Sequence, residues 1–388
     1  MTWPRAPLLL CASSSRTGPV EGLLALGAFL RAQGIAAEFA GDSVRPGEDL
    51  DGHLARAGVP WAEPRLALSR KVRPRDVLAD ARTLCAWAAA GRFDVLHASF
   101  PHDHHLILRA AARAGPARAD LRTVRTAHRR RDVTRGFLGH RTRLFRKTDG
   151  ILVHADCYRT ELLQQGLAPE RVAAIPGGVD SARFSPGRSP SLRAQWGIPE
   201  DAPVAGIVAR MKPERGHREL IAAFRRAAIP GAYLVLIGRG DDEEALRALA
   251  AGDSKIVFAG YARGDALIAA YRALDVAVWL REGNDGACRG VLEAMACGVP
   301  VIAGNDGAPP ELVAGTGRVV DPANPEAIAS ALRELLADLP ATRALGLAAR
   351  ARAETFTPDR FAAAVLTFWR TLRALPPAEF REFRGHHT

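Results

Sequence analysis

Between Val204 and Val320 the chain repeats one pattern: a short apolar run, a turn, then a stretch with helical spacing. The apolar runs are Val204–Ala209, Ala232–Ile237, Lys255–Ala259, Val276–Leu280, Val299–Ala303 and a short Arg318–Val320. Most are continuous in apolar residues, as strands buried on both faces are. The helical stretches between them are Gly216–Ala228, Asp242–Ala250, Asp265–Leu274 and Gly286–Ala296; Asn324–Leu336, Ala341–Glu354 and Asp359–Leu375 close the chain. Such alternation predicts βαβ units wound into a parallel sheet. Ligands of an open parallel sheet bind outside the carboxyl ends of its strands. Chemistry is therefore sought in the loops that follow strands.

The first half repeats the pattern less regularly. Strands are predicted at Pro7–Ala12, Ala36–Phe39, Val95–Ala98, Arg122–Ala127 and Gly150–Val153, with helices at Glu21–Gln33, Pro74–Ala90, His104–Arg113 and Arg159–Gln165. From Ala173 to Gly206 the chain is punctuated by Pro176, Gly177, Gly178, Pro186, Gly187, Pro190, Gly197 and Pro199, which places a domain junction there. A chain of 388 residues suits two domains. The fold class is α/β: two Rossmann-like, doubly wound parallel-sheet domains facing a central cleft.

Composition removes several classes. No apolar run approaches the roughly 20 residues of a membrane-spanning helix. The apolar stretch Ala6–Cys11 is shorter than a signal-peptide core. Cys11, Cys85, Cys157, Cys288 and Cys297 are odd in number and irregular in spacing, which suggests neither a disulfide framework nor a zinc site and fits a reducing, cytoplasmic compartment. The net charge is +11, and of the 53 basic residues only four are lysine. Thirteen Arg or Lys lie between Arg109 and Lys147 against two acids, Asp120 and Asp132. Such a zone favours acceptor phosphates or peripheral contact with an anionic membrane. No recognition motif points to nucleic acid as a partner.

Two segments carry the chemistry. In Val208-Ala209-Arg210-Met211-Lys212-Pro213-Glu214-Arg215-Gly216 two guanidiniums flank a turn between a strand and a helix. Guanidinium suits bidentate phosphate contacts, and two of them could hold a diphosphate and stabilise its departure. In the segment from Arg281 to Pro300 a glycine-rich loop is expected to open a helix near Gly286, whose first amides would face an anion, with Asp285 at the N-cap position. Glu293 would lie about two turns into that helix, among Val291, Leu292, Ala294 and Met295. A carboxylate in so apolar a stretch needs a partner.

Arg210 with Arg215, the acid-x7-Glu segment Asp285 to Glu293, "EAMACGVPVIAG" and "GRVVDPANPEAIASAL" together resemble the nucleotide-binding half of glycosyltransferase family 4, most strongly from Val204 to Leu336. The resemblance implies a GT-B fold: an acceptor-binding domain over 1–175, a nucleotide-sugar-binding domain over 176–356, and a terminal helix over 357–388 that returns to the first domain. It implies that Glu293 hydrogen-bonds the donor ribose, that Asp285 faces the transferred sugar, and that Gly286, Ala287 and Cys288 offer backbone N–H groups to sugar and diphosphate. Arg210 matches the diphosphate-binding arginine, Arg215 stands where the family usually has lysine, and Tyr261 lies where the base is contacted. In the first half, His128 at the end of "VRTAH" matches the active-site histidine beside the sugar, and Gly18 the loop whose backbone faces the diphosphate.

The function so implied is configuration-retaining transfer of a sugar from a nucleoside-diphosphate sugar to a glycan or lipid-linked hydroxyl. The setting would be bacterial lipopolysaccharide or other envelope polysaccharide synthesis, at the inner face of the membrane or in the cytoplasm. No cofactor and no metal is expected. Rivals are a GT-B-like sugar-nucleotide epimerase and a degenerate nucleotide-sugar-binding subunit. Departures from the family pattern are Asp285 in place of Glu, which shortens reach by about 1.5 Å, Thr17-Gly18-Pro19 in the first loop, and "PGGVD" from Pro176 to Asp180. His102-Asp103-His104-His105 offers zinc-type ligands, but adjacent His104 and His105 diverge on any regular element, so metal binding is not the expectation.

Overall fold

Among the described residues every strand is short, three to five residues, and most strand residues are buried. The computed structural model describes residues 3–13, 17–42, 49–68, 73–134, 136, 139–282 and 286–379. The strands are β1 Pro7–Cys11, β2 Glu38–Gly41, β3 Val95–Ala98, β4 Arg122–Thr126, β5 Gly150–Val153, β6 Val172–Ala174, β7 Val204–Val208, β8 Tyr233–Ile237, β9 Ile256–Gly260, β10 Val276–Trp279, β11 Val301–Gly304 and β12 Arg318–Val320. The chain divides into one unit of Met1–Pro176, Asn284–Gly286 and Pro358–Thr388, and a second of Gly177–Gly283 and Ala287–Thr357.

In the first unit a parallel six-stranded sheet runs β2-β1-β3-β4-β5-β6. Successive side chains of a strand point to opposite faces, and β1 shows the result. Leu9 and Cys11 join one core with the helices Gly18–Ala32 and Pro358–Ala374, while Leu8 and Leu10 join the other with Pro74–Ala89 and Pro101–Ala111. The terminal helix contributes Phe361, Val365, Phe368, Trp369 and Leu372. Its end is fixed by Arg122 of β4. The Arg122 guanidinium, 2 % exposed, donates to the carbonyls of Leu372 (2.9 Å), Arg373 (3.1 Å) and Leu375 (2.8 Å), where the helix leaves acceptors unmet.

The second unit holds a parallel six-stranded sheet in the order β12-β11-β10-β7-β8-β9. The helices His217–Ala227 and Pro325–Ala337 cover one face of it through Leu220, Ile221, Phe224, Ile328, Leu332 and Leu335.

Both units use the same device to set strand starts. Asp94, Asp149 and Asp275 each stand directly before a central strand and accept from the neighbouring strand's leading backbone. Asp94 takes the amides of Arg5 (2.6 Å) and Ala6 (3.2 Å), Asp149 that of Thr123 (2.8 Å), and Asp275 that of Val204 (2.9 Å). Arg118 and Arg193 balance Asp149 and Asp275, each at 2.9 Å, and Arg5 lies 3.6 Å from Asp94.

The structure divides the basic zone between the interior and the surface. Arg122 and Arg125 are buried; Arg118 pairs with Asp149, Arg129 with Asp132, and Arg125 donates to the carbonyl of Ser99. Arg109, Arg113, Arg130, Arg131, Arg143 and Arg146 remain on the surface, and Arg135 lies outside the described residues. Charge counting cannot separate internal arginines from external ones, because a guanidinium can be buried where backbone carbonyls meet it. Among the described residues no helix is long and apolar enough to cross a membrane, and no group of three or more His, Cys, Asp or Glu could hold a metal ion. Within the His102–His105 segment, Asp103 accepts from the amides of Ala12 (3.0 Å) and Phe100 (3.2 Å), and His104 pairs with the Thr148 hydroxyl (2.7 Å).

Candidate functional site

In the second sheet β8 and β9 follow β7 on one side, whereas β10, β11 and β12 extend on the other. The strand order therefore reverses between β7 and β10, the position where an open parallel sheet leaves a crevice at its carboxyl edge. The two motif segments are the loops that follow those two strands.

After β7 the chain reaches Arg210, which is exposed, then a short turn Pro213–Arg215, then Gly216. Gly216 has φ 84°, and a Cβ there would lie 2.9 Å from the Cβ of Leu280, so this position needs glycine on both counts. The turn delivers Arg215 over the ring of Trp279, the last residue of β10, with 5.0 Å between guanidinium carbon and ring centroid. Trp279 in turn lies against Gly290, where a Cβ would come within 2.3 Å of the ring. His217, buried at the start of the next helix, is pushed down to about 4, first by burial and then by Arg215 beside it, and so stays neutral.

The loop after β10 departs from expectation. The helix predicted to open at Gly286 opens at Arg289 and runs to Ala296, with Cys288 at the N-cap position in place of Asp285. The cause is the backbone of Cys288, which sits in the left-handed region (φ 47°, ψ 47°) and cannot continue a right-handed helix. A non-glycine residue held there costs on the order of 1 kcal/mol or more and is a mark of functional loops. Gly286 and Ala287 lie in the turn before it, Ala287 and Cys288 both buried. Asp285 lies outside the described residues. Glu293 is consequently the fifth residue of its helix, one turn in. It has the partner its apolar surroundings demanded: the hydroxyl of Tyr271, 1 % exposed, donates to Glu293 Oε2 at 3.0 Å. Burial and the adjacent carboxylate hold the Tyr271 hydroxyl well above the usual phenol range, so it remains a donor.

Further along the same edge, Tyr261 follows β9 and is 65 % exposed. The loops after β7, β8 and β9 carry Arg210, Lys212, Arg239 and Arg263, and among the described residues none of these four has an ion-pair partner. Among the described residues these loops thus offer four cations without ion-pair partners, an arrangement suited to an anion.

The first unit places its candidates differently. Its switch point lies between β1 and β3, and Gly18, in the loop after β1, is the first residue of the helix Gly18–Ala32. His128 follows β4, is 5 % exposed, and is held well below the usual imidazole range by burial, with His154 and Arg125 adding to the effect. His154 Nε2 is 3.3 Å from His128 Nδ1. Sequence reasoning did not find Tyr271, Trp279 or His154. Nothing local marks the first two; His154 was findable, because the parallel register Thr126↔Leu152 extended by two residues pairs it with His128.

The family model described as Glycosyltransferase Family 4 matches residues 18–183, and that described as Glycosyl transferases group 1 matches residues 189–352. A GDP-mannose-dependent alpha-mannosyltransferase of Mycolicibacterium smegmatis is 40% identical over 193 residues, 48% of this chain and 48% of its own. A D-inositol 3-phosphate glycosyltransferase of Segniliparus rotundus is 34% identical over 230 residues, 56% of this chain and 51% of its own. The chain spans about half the length of the curated relatives it matches. HepE of Anabaena, solved in complex with UDP and glucose, superposes with TM-score 0.75 at 20% identity over 95% of this chain and 99% of its own, which gives the fold as GT-B. With both halves matched in sequence and the whole chain matched in fold, the protein belongs to glycosyltransferase family 4, the group 1 glycosyltransferases.

Proposed function

We propose that this protein transfers mannose from GDP-mannose to a hydroxyl of a lipid-linked or glycan acceptor with retention of configuration. The observation that carries the reading is that Arg210 and Arg215 lie in the loop after β7, while Glu293 lies in the helix that follows the loop after the adjacent strand β10. Relatives named as GDP-mannose-dependent enzymes support the choice of donor.

In this mechanism Glu293, oriented by Tyr271, takes the ribose hydroxyls. Arg210 and Arg215 bind the diphosphate and stabilise the negative charge that grows as the anomeric carbon–oxygen bond breaks. The acceptor oxygen attacks the same face, and its proton passes to the departing phosphate oxygen. His128 and Asp285 hold the sugar, Gly18 and the Gly286–Cys288 turn contribute backbone amides, and Tyr261 borders the base. Two guanidiniums supply the cationic charge that a divalent metal supplies elsewhere, so the reaction proceeds without one.

The test is a thermal-shift screen with GDP-mannose, UDP-glucose and ADP-glucose, followed by product analysis in EDTA with and without a glycolipid extract. GDP-mannose at 100 times its Kd should stabilise the fold by about 2.7 kcal/mol through mass action. Conversion of the donor alone into another sugar nucleotide would identify an epimerase. Binding without turnover would identify a non-catalytic subunit, and loss of transfer in EDTA would restore a metal.

A further inference from the structure

Three consecutive strand ends of the first unit deliver three groups in a row. In the β4–β5 register Thr126 faces Leu152, and in the β5–β6 register Val153 faces Ala174. Just beyond those ends stand His128, His154 and the carbonyl of Ile175. The two imidazoles lie with centroids 5.3 Å apart at 31°. His154 Nδ1 is 3.0 Å from the Ile175 carbonyl oxygen, and His154 Nε2 is 3.3 Å from His128 Nδ1. Both rings are 5 % exposed, and the remaining nitrogen, His128 Nε2, is buried with no hydrogen-bond partner among the described residues.

Proton bookkeeping then has one solution for two neutral rings. A carbonyl only accepts, so Nδ1 of His154 carries its hydrogen. A neutral imidazole has one N–H, so Nε2 of His154 accepts. The hydrogen between the rings therefore belongs to Nδ1 of His128, and Nε2 of His128 is a bare lone pair. Burial disfavours the imidazolium alternative, and the other titratable groups acting on His128 (His97, Arg125 and Arg129) oppose a further positive charge there.

We infer that His154 is a positioning residue that fixes the tautomer of His128, so that Nε2 of His128 accepts a hydrogen bond from a ligand hydroxyl at the carboxyl end of β4. Resting on the donor assignment above, the hydroxyl is one of the transferred sugar. The site then favours a ligand that donates at this point. A sugar with that hydroxyl replaced by fluorine or methoxy keeps the oxygen or its bulk but cannot donate, and leaves a buried acceptor unmet.

The experiment is 15N NMR of the full chain labelled at histidine, with His128 assigned through His128→Gln. Wild type should show a protonated Nδ1 and a bare Nε2 at His128. In His154→Leu the His128 signal should move towards the Nε2–H form that free histidine prefers. In His154→Gln, whose amide oxygen replaces the lost acceptor, it should return. In parallel, His154→Leu should weaken GDP-mannose about tenfold while leaving GDP unchanged, with His154→Gln recovering most of the loss. A protonated Nε2 on His128 in the wild-type protein overturns the inference, whatever the donor does. So does an equal loss of GDP and GDP-mannose affinity in His154→Leu. A bare Nε2 in a protein that ignores GDP-mannose upholds the histidine pair and sinks the donor reading instead, so the two failures are separable.

Discussion

The two sheets of this protein solve one architectural problem with opposite chemistry. The first has the order 2-1-3-4-5-6, and the second, counted from its own first strand, the order 3-2-1-4-5-6; each reverses beside its first strand and opens a crevice there. At the carboxyl edge of the second sheet the side chains are exposed cations: Arg210, Arg239 and Arg263, with Arg215 steadied on Trp279. Across the first sheet, interior imidazoles take their place: His97, whose Nε2 is 2.6 Å from the Thr126 hydroxyl, and the pair His128–His154. Charge left in water suits an anion that arrives already charged. A neutral, desolvated acceptor suits an uncharged hydroxyl, where a fixed charge would bind solvent instead. On the function proposed above, the difference would suit phosphate to one unit and sugar to the other.

Arg210→Ala should break this comparison most visibly. Transfer should fall by about 100- to 1,000-fold, with the melting temperature unchanged, because Arg210 is exposed. His128→Ala should cost less in turnover and more in stability, since it opens a cavity beside Phe100 and His154. Steady-state kinetics and thermal melts of both variants make the check. Equal profiles would mean that the two edges do not divide the work.

Acid should separate the units next. The first buries His97, pushed down to about 3, together with His104 and His128, both held well below the ordinary value; the second buries His217, at about 4. Burial is the leading cause in all four. A histidine with a depressed folded pKa leaves the unfolded chain holding more protons once pH falls below about 6.5, so its stabilising contribution is lost from there down towards the folded value. At pH 4.5 His97 and His217 should each have lost on the order of 2 kcal/mol, with His104 and His128 adding losses of the same sign. The first unit carries three such groups against one, and hydrogen exchange at pH 4.5 should show it opening first. Uniform opening would mean that the imidazoles are hydrated or paired in ways that spare them this cost.

Reading the chain as sequence recovered what depends on local pattern. Val95–Ala98 and Gly150–Val153 are strands with the expected ends, because a strand buried on both faces is mostly apolar and stops where that run stops; the edge strand Arg318–Val320, with Val319 exposed, also has the expected ends. What depends on distant residues was not legible. The helix Leu50–Ala57 has a glycine at its third position and little apolar periodicity, and it holds through Leu50 and Leu54 in the core and Asp49 as cap. β6, which overlaps the start of the segment read as a junction, was missed, since three residues give no period and only pairing with β5 makes them a strand. The displaced helix start has the same origin: Cys288 takes a glycine-like backbone that its identity does not advertise. Likewise the sequence placed Glu293 in the site and showed that it needs a partner, but Tyr271 lies 22 residues away on another helix.

That pair supplies the smallest and sharpest test of the second sheet's edge. Tyr271→Phe keeps the ring, its packing beside Phe184 and the fold of the helix Asp265–Arg272, and removes one donor from Glu293 Oε2. The stability loss should be about 1 kcal/mol. If Tyr271 aims the carboxylate at a ribose, GDP and GDP-mannose should both weaken by a similar few-fold factor, with kcat almost unchanged, because the ribose contact is made equally before and during transfer. A fall in kcat at constant donor affinity would place Glu293 at the reacting centre. Unchanged affinity for both ligands would mean that the hydrogen bond serves the core alone and that the ribose is held by other groups.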